Sequence, residues 1–153
     1  MEFHTKIILH PTDFSADAMK ALHVATDLLS MPKSRLVILH VIEILEHDAH
    51  LPAHELEKLK VEKTNEANEK MDQYIRNCYG SNLPIPGPEK VVRVNTSVYK
   101  DILDYMNKTD PYMTIVGQKG NTKNNKVLLG NTTHHLLEHS NYPILMVPSK
   151  MEE

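Results

Sequence analysis

Short apolar runs alternate along this chain with longer amphipathic stretches. Lys6 to His10, Arg35 to Ile42, Lys90 to Val94, Tyr112 to Val116 and Pro143 to Val147 are each rich in Ile, Val, Leu or Met and predict five strands. None has the clean polar alternation of a strand with one wet face, so both faces of the sheet are expected to be covered. Every gap between runs is long enough for a helix, as parallel strands require.

The first gap offers Asp13 and Ser15 as N-caps, and Ala18, Leu22, Ala25 and Leu29 then recur at the helical period, which predicts a helix over Ser15 to Ser30. In the second gap Pro52 suits a first turn, and Leu56, Leu59, Ala67, Met71 and Ile75 mark an inner face that ends before Gly80. The polar stretch Lys60 to Lys70 is expected at the surface. A loop from Gly80 to Pro88 leads into the third strand. Ser97 to Lys108 predicts a helix with Val98, Ile102 and Met106 inward, and Asn131 to Ser140 a last one with Leu136 and Leu137 inward. The order is β-α-β-α-β-α-β-α-β. Right-handed crossovers then favour an open, doubly wound sheet with its ligand crevice beyond the strands' C-terminal ends, where the winding reverses. The tail from Ser149 to Glu153 is expected to fray.

Composition narrows the class. The 153 residues, 41% apolar and 24% charged, suit one globular domain over 1–153 with a core that needs no staples. Seventeen basic against 20 acidic residues give a net charge of −3, without the basic field of a nucleic-acid binder. No apolar run is long enough to span a bilayer. The one cysteine, Cys78, and an N-terminus without a signal-like apolar stretch make a reducing cytoplasm the expected compartment.

Three of the five glycines fall close together, as Gly117-x2-Gly120-x9-Gly130. Gly117 and Gly120 follow the fourth strand, and Gly130 precedes the last helix, whose free backbone N–H groups and dipole form an anion site. No acidic residue occurs from Pro111 to Leu137, while Lys119, Lys123 and Lys126 make that segment positive, a setting that attracts a polyphosphate. The bland alternative is a solvated connector with turn glycines. Asp13, at the end of the first strand, is either a helix N-cap or an acceptor for a ribose hydroxyl or adenine amino group, and the two roles are compatible.

This glycine pattern resembles the nucleotide-binding signature of the universal stress protein family. The opening Ile7-Ile8-Leu9-His10-Pro11-Thr12-Asp13-Phe14-Ser15 is similar to that family's first strand and turn, Leu39-His40-Val41 to its second strand end, and Asn141 to Val147 to its last strand. The resemblance covers nearly the whole chain. It implies a five-stranded parallel sheet in a Rossmann-like α/β/α sandwich of the adenine nucleotide alpha hydrolase-like type, a stress-related regulatory role, and a dimer. It places Pro11, Thr12, Asp13 and Val41 around adenine and ribose, Val116, Gly117 and Gly120 under ribose and phosphates, and Gly130, Asn131 and Thr132 around the phosphate chain. The implied cofactor is ATP, with or without Mg²⁺. Two positions depart from the family's pattern. Asn131 stands where ATP-binding members have Ser or Thr, leaving Thr132 to offer a hydroxyl, and His10 replaces an aliphatic residue, which is expected to alter adenine contacts.

Three function classes follow: an ATP-binding regulator, a slow ATP hydrolase, and a dimeric interaction protein that binds no nucleotide. No catalytic residues are assigned, since the glycine segment carries neither a carboxylate nor an arginine for phosphoryl transfer. In the predicted topology Ile144 to Val147 forms a sheet edge, a pairing surface for a second copy; an unidentified protein partner is expected as well. No metal site is assigned. Pro52 interrupts the cluster of His47, Asp48, His50 and His54, and His135 and His139, one turn apart, lack an evident third ligand. Cys78 has only Arg76 as a basic neighbour and is expected to be inert, and Met19, Met71 and Met106 are expected in the core.

Overall fold

The computed structural model describes residues 5–121 and 128–151. Five strands form one parallel sheet in the order β3-β2-β1-β4-β5: β1 (Lys6–Pro11), β2 (Ser34–Glu43), β3 (Glu89–Asn95), β4 (Met113–Gly117) and β5 (Ile144–Val147). Helices α1 (Ala16–Leu28), α3 (Ala53–Tyr79), α4 (Val98–Thr109) and α5 (Asn131–His139) fill the four connections, and a four-residue helix α2 (Glu46–Ala49) precedes α3. The predicted α/β class, strand count and edge position of β5 all match.

Alternate strand residues feed two cores. Ile8, Leu36, Ile38 and Ile115 pack with Ala18, Leu22, Met71 and Ile75 of α1 and α3. Leu9, Val37, Leu39, Val41 and Val116 pack with Ile102, Met106 and Leu136 of α4 and α5. Covering on both faces explains the absence of polar alternation in the strands. Met71 and Met106 are fully buried, and Met19 packs at the edge of the first core.

Some expectations fail for local reasons. Leu136 is buried, but Leu137 is 44% exposed because one helical step rotates it away from the sheet. Leu56 and Leu59 stay half-exposed, since the first half of α3 contributes nothing to either core and packing begins at Ala67. Ser149, expected to fray, is anchored: its N–H donates to Gln118 Oε1 at 3.0 Å, its hydroxyl to Asp17, and its carbonyl accepts from Lys20.

A polar clasp fixes β3 to α4. Asp101, 5% exposed, accepts from Arg93 Nε at 2.7 Å and Nη2 at 3.1 Å and from Asn95 Nδ2 at 3.1 Å. Removing Arg93 leaves this buried carboxylate with two hydrogen bonds fewer and no counter-charge. Arg93→Ala is expected to cost about 2 kcal/mol, discounted because the arginine is partly solvated, and to lower Tm by roughly 6 °C. An unchanged melting curve would show the clasp to be energetically idle.

Candidate functional site

The sheet opens where its winding reverses. β1 and β4 pair only at Ile8↔Met113 and Leu9↔Thr114, whereas β1 stays paired with β2 as far as Pro11↔Leu39 and β4 with β5 as far as Gly117↔Val147. Beyond Leu9 the two central strands therefore part, and a cavity of about 510 Å³ lies there. Its lining includes Pro11, Thr12, Asp13, Val41, Val116, Gly117, Gly120, Asn131 and Thr132, all singled out from the sequence. Gly130 is buried and does not line it. Apolar Leu39, Ile42, Val98 and Ile102 also line it, as does Lys119 of the positive segment, and Glu43 and Asn121 add polar groups that the sequence did not single out for it.

The turn after β1 is held by its own side chains. Thr12 Oγ1 accepts from the Phe14 N–H at 2.9 Å, and Asp13 Oδ1 from the Ser15 N–H at 3.0 Å. The N-cap of α1 is Ser15, whose hydroxyl accepts from the Ala18 N–H at 3.1 Å. Asp13 lies two residues too early to cap and instead reaches across the crevice. Its Oδ2 accepts from the Asn121 N–H at 2.9 Å, while Asn121 Nδ2 donates to the Asp13 carbonyl at 2.9 Å. One carboxylate thus ties the turn after β1 to the loop after β4.

The three glycines answer to close approaches within the protein. A Cβ on Gly117 would stand 2.7 Å from the Asp17 carbonyl oxygen, and one on Gly130 2.1 Å from that of Lys119. Gly120 has φ +80° and faces the Asp13 carboxylate, where a Cβ would lie 2.5 Å from Oδ2. The described ends of the loop are clasped. The Gly130 N–H donates to the Gln118 carbonyl at 2.9 Å, and the buried Thr133 hydroxyl to that of Gly117 at 2.8 Å. Asn131 is exposed and is the first helical residue, so it does not cap α5. The N-cap is Gly130, which has no side chain to satisfy the helix's free N–H groups. Lys119 lines the cavity, whereas Lys123 and Lys126 lie outside the described residues. Asn121 and Thr133 were missed because amide and hydroxyl tethers carry no spacing signature.

His10 does not touch the cavity. Fully buried on the α3 side, it places Nδ1 2.9 Å from the Ile115 carbonyl and Nε2 2.8 Å from the Tyr74 hydroxyl. A carbonyl can only accept, so Nδ1 carries the proton and Tyr74 donates to Nε2. The imidazole takes up a β4 carbonyl just where pairing with β1 has ended. Altered adenine contacts are thus not its role. Burial lowers its pKa to about 4, against the raising effects of the Ile115 hydrogen bond and Asp13. Burial also lowers that of His40, which lines the cavity, donates from Nδ1 to the Thr12 carbonyl at 2.7 Å, and packs on Phe14. Cys78 has a basic neighbour that sequence proximity hid, with His23 Nδ1 3.7 Å from its sulfur. Among the described residues, His47 pairs with Asp48 at 3.3 Å, and neither they nor His50 and His54 gather into a set of three ligands.

With this architecture and cavity in place, comparison defines the class. The chain belongs to the universal stress protein family, whose model matches residues 4–148. A relative, universal stress protein MJ0577 of Methanocaldococcus jannaschii, is 28% identical over 159 aligned positions that cover 95% of this chain and 96% of the relative. The solved structure of MJ0577 superposes with a TM-score of 0.78 at 26% identity, covering 98% of this chain and 100% of that one. An Arabidopsis thaliana member solved with AMP bound has a TM-score of 0.62 at 10% identity, covering 94% and 91% of the two chains. A universal stress protein in complex with cAMP gives 0.57 at 16% identity, covering 97% and 100%. At these last two identities the likeness is one of fold.

His10 makes an acid-sensitive contribution to stability. The unfolded chain takes up its proton near pH 6.5 and the folded chain only near 4, so the contribution is complete above about 6.5 and is lost as pH falls towards 4. The loss amounts to roughly 3 kcal/mol. In urea melts between pH 7 and 4, His10→Leu is expected to be less stable than the parent at neutral pH yet to show a shallower acid slope. An identical slope in both proteins would contradict this assignment.

Proposed function

We propose that this chain is a cytoplasmic stress-response regulator that binds ATP or a related adenine nucleotide in the cavity at the ends of β1 and β4. One observation carries the reading: residues far apart in sequence converge on one cavity at the winding reversal, with both apolar and polar groups in its lining. Val41, Val98 and Ile102, which share one apolar cluster and line the cavity, suit a purine face. Asp13 offers acceptor oxygens to a ribose or amino group. The start of α5 offers N–H groups that no side chain caps among the described residues, and a positive dipole end, to the phosphates, beside Lys119. The bound AMP and cAMP of the two similar folds support an adenine nucleotide as the ligand class. Mg²⁺ accompanying ATP is held chiefly by phosphate oxygens and water, and the Thr132 hydroxyl is the oxygen this chain offers beside them.

The proposed assembly is a homodimer paired along Ile144 to Val147. This strand is a sheet edge and bears Leu145, 37% exposed. Light scattering at micromolar concentration should give about twice 17.5 kDa, and a monomer mass would exclude this pairing.

Nucleotide binding is tested by calorimetric titration of untagged, nucleotide-stripped protein with ATP, with and without Mg²⁺. Gly130→Val is a poor control because its side chain strikes the Lys119 backbone before any ligand enters. Asn131→Glu is better: a carboxylate in the first turn favours the helix dipole but repels phosphate. The expected result is one site per chain, weakened at least tenfold by Asn131→Glu without a fall in Tm. No heat change and no competition with a fluorescent ATP analogue would refute the reading, as would full affinity in the variant.

A further inference from the structure

The outer surface of α5 carries a constellation separate from the nucleotide cavity. His135, Glu138 and His139 sit at i, i+3 and i+4, and each offers one ligand atom within 4.8 Å of the others. None of the three lines the cavity. His135 is stacked on Tyr99 of α4, with ring centroids 4.0 Å apart and planes inclined by 14°, which fixes its imidazole across the helix interface. The His139 ring lies nearly parallel to it at 6.1 Å. His135 Nδ1 is buried and has no hydrogen-bond partner among the described residues.

We propose that this face of α5 binds one divalent transition-metal ion of the zinc class, with His135, Glu138 and His139 as its protein ligands. Two imidazoles and a carboxylate form a common three-ligand zinc set that leaves a fourth position for water. Calcium and magnesium, which demand oxygen donors, are poorly served by it. Bonds of about 2.1 Å in a tetrahedral arrangement need ligand atoms roughly 3.4 Å apart. The required contraction falls to Glu138 and His139, whose side chains are 55% and 52% exposed, while Tyr99 holds His135 in place. The Glu138 carboxylate already lies 3.8 Å from His139 Nε2 and 3.4 Å from His134 Nε2. His134 thus contacts the carboxylate and is the neighbour whose contribution needs separating. The two histidines are visible in the sequence; Glu138 completes the set only once α5 shows it turned onto the same face.

The test is Zn²⁺ titration of untagged protein against a chromophoric chelator, with bound metal counted after dialysis. One equivalent per chain is expected, weakened at least tenfold by His139→Gln and by Glu138→Gln. His135→Phe keeps a ring on Tyr99 while removing both nitrogens, and should weaken binding as much. His134→Gln should change affinity by less than threefold, and His47→Gln should leave it unchanged. Circular dichroism confirms that each variant is folded. The proposal fails if wild type retains no zinc, or if a folded variant lacking both His135 and His139 nitrogens binds zinc as tightly as wild type.

Discussion

The parting of β1 from β4 is the constraint on which the rest of this structure depends. A parallel sheet that reverses its winding has helices leaving to opposite faces at that point, so the two central strands have nothing covering the gap between their ends. The gap exposes backbone groups that a continued ladder would have satisfied. In this chain His10 takes up the Ile115 carbonyl on one side, and Asp13 spans the opening with bonds to Ser15 and Asn121. The cavity persists because its rim is tied by side chains instead of closed by pairing.

The same residues therefore serve the scaffold and the cavity. Asp13 holds the loop after β4 while presenting its carboxylate at the cavity wall, and Gly120 is small because that carboxylate lies against it. Gly117 and Gly130 allow the backbone at the two described ends of the loop to press on α1 and on Lys119. A glycine pattern commonly read as room for a phosphate is here first a requirement of chain packing. Substitutions at these positions perturb the loop before they report on a ligand, and Asn131, exposed at the head of α5, is the cleaner position from which to question binding.

Strands and helices were legible because hydrophobic runs and helical spacing are local properties. The crevice followed from the order of elements and the handedness of crossovers. What the sequence could not show was the direction of individual side chains. Asp13 and Ser15 were equal as caps until backbone geometry gave the cap to Ser15, and His10, three residues from Asp13, faces α3 because strand residues alternate between faces. Leu137 fell one helical step outside the core. Tethers such as Asn121 to Asp13 and Thr133 to Gly117 join positions 108 and 16 residues apart, and neither residue type announces such a bond.

The central claim is that the cavity between β1 and β4 holds an adenine nucleotide with its phosphates at the start of α5. Backbone amide chemical shifts of ¹⁵N-labelled protein titrated with ATP test it most directly. The account predicts saturable shifts concentrated at Thr12, Asp13, Val41, Val116 to Gly120, and Asn131 to Thr133. An unmoved spectrum, or shifts confined to the outer half of α3, would contradict it.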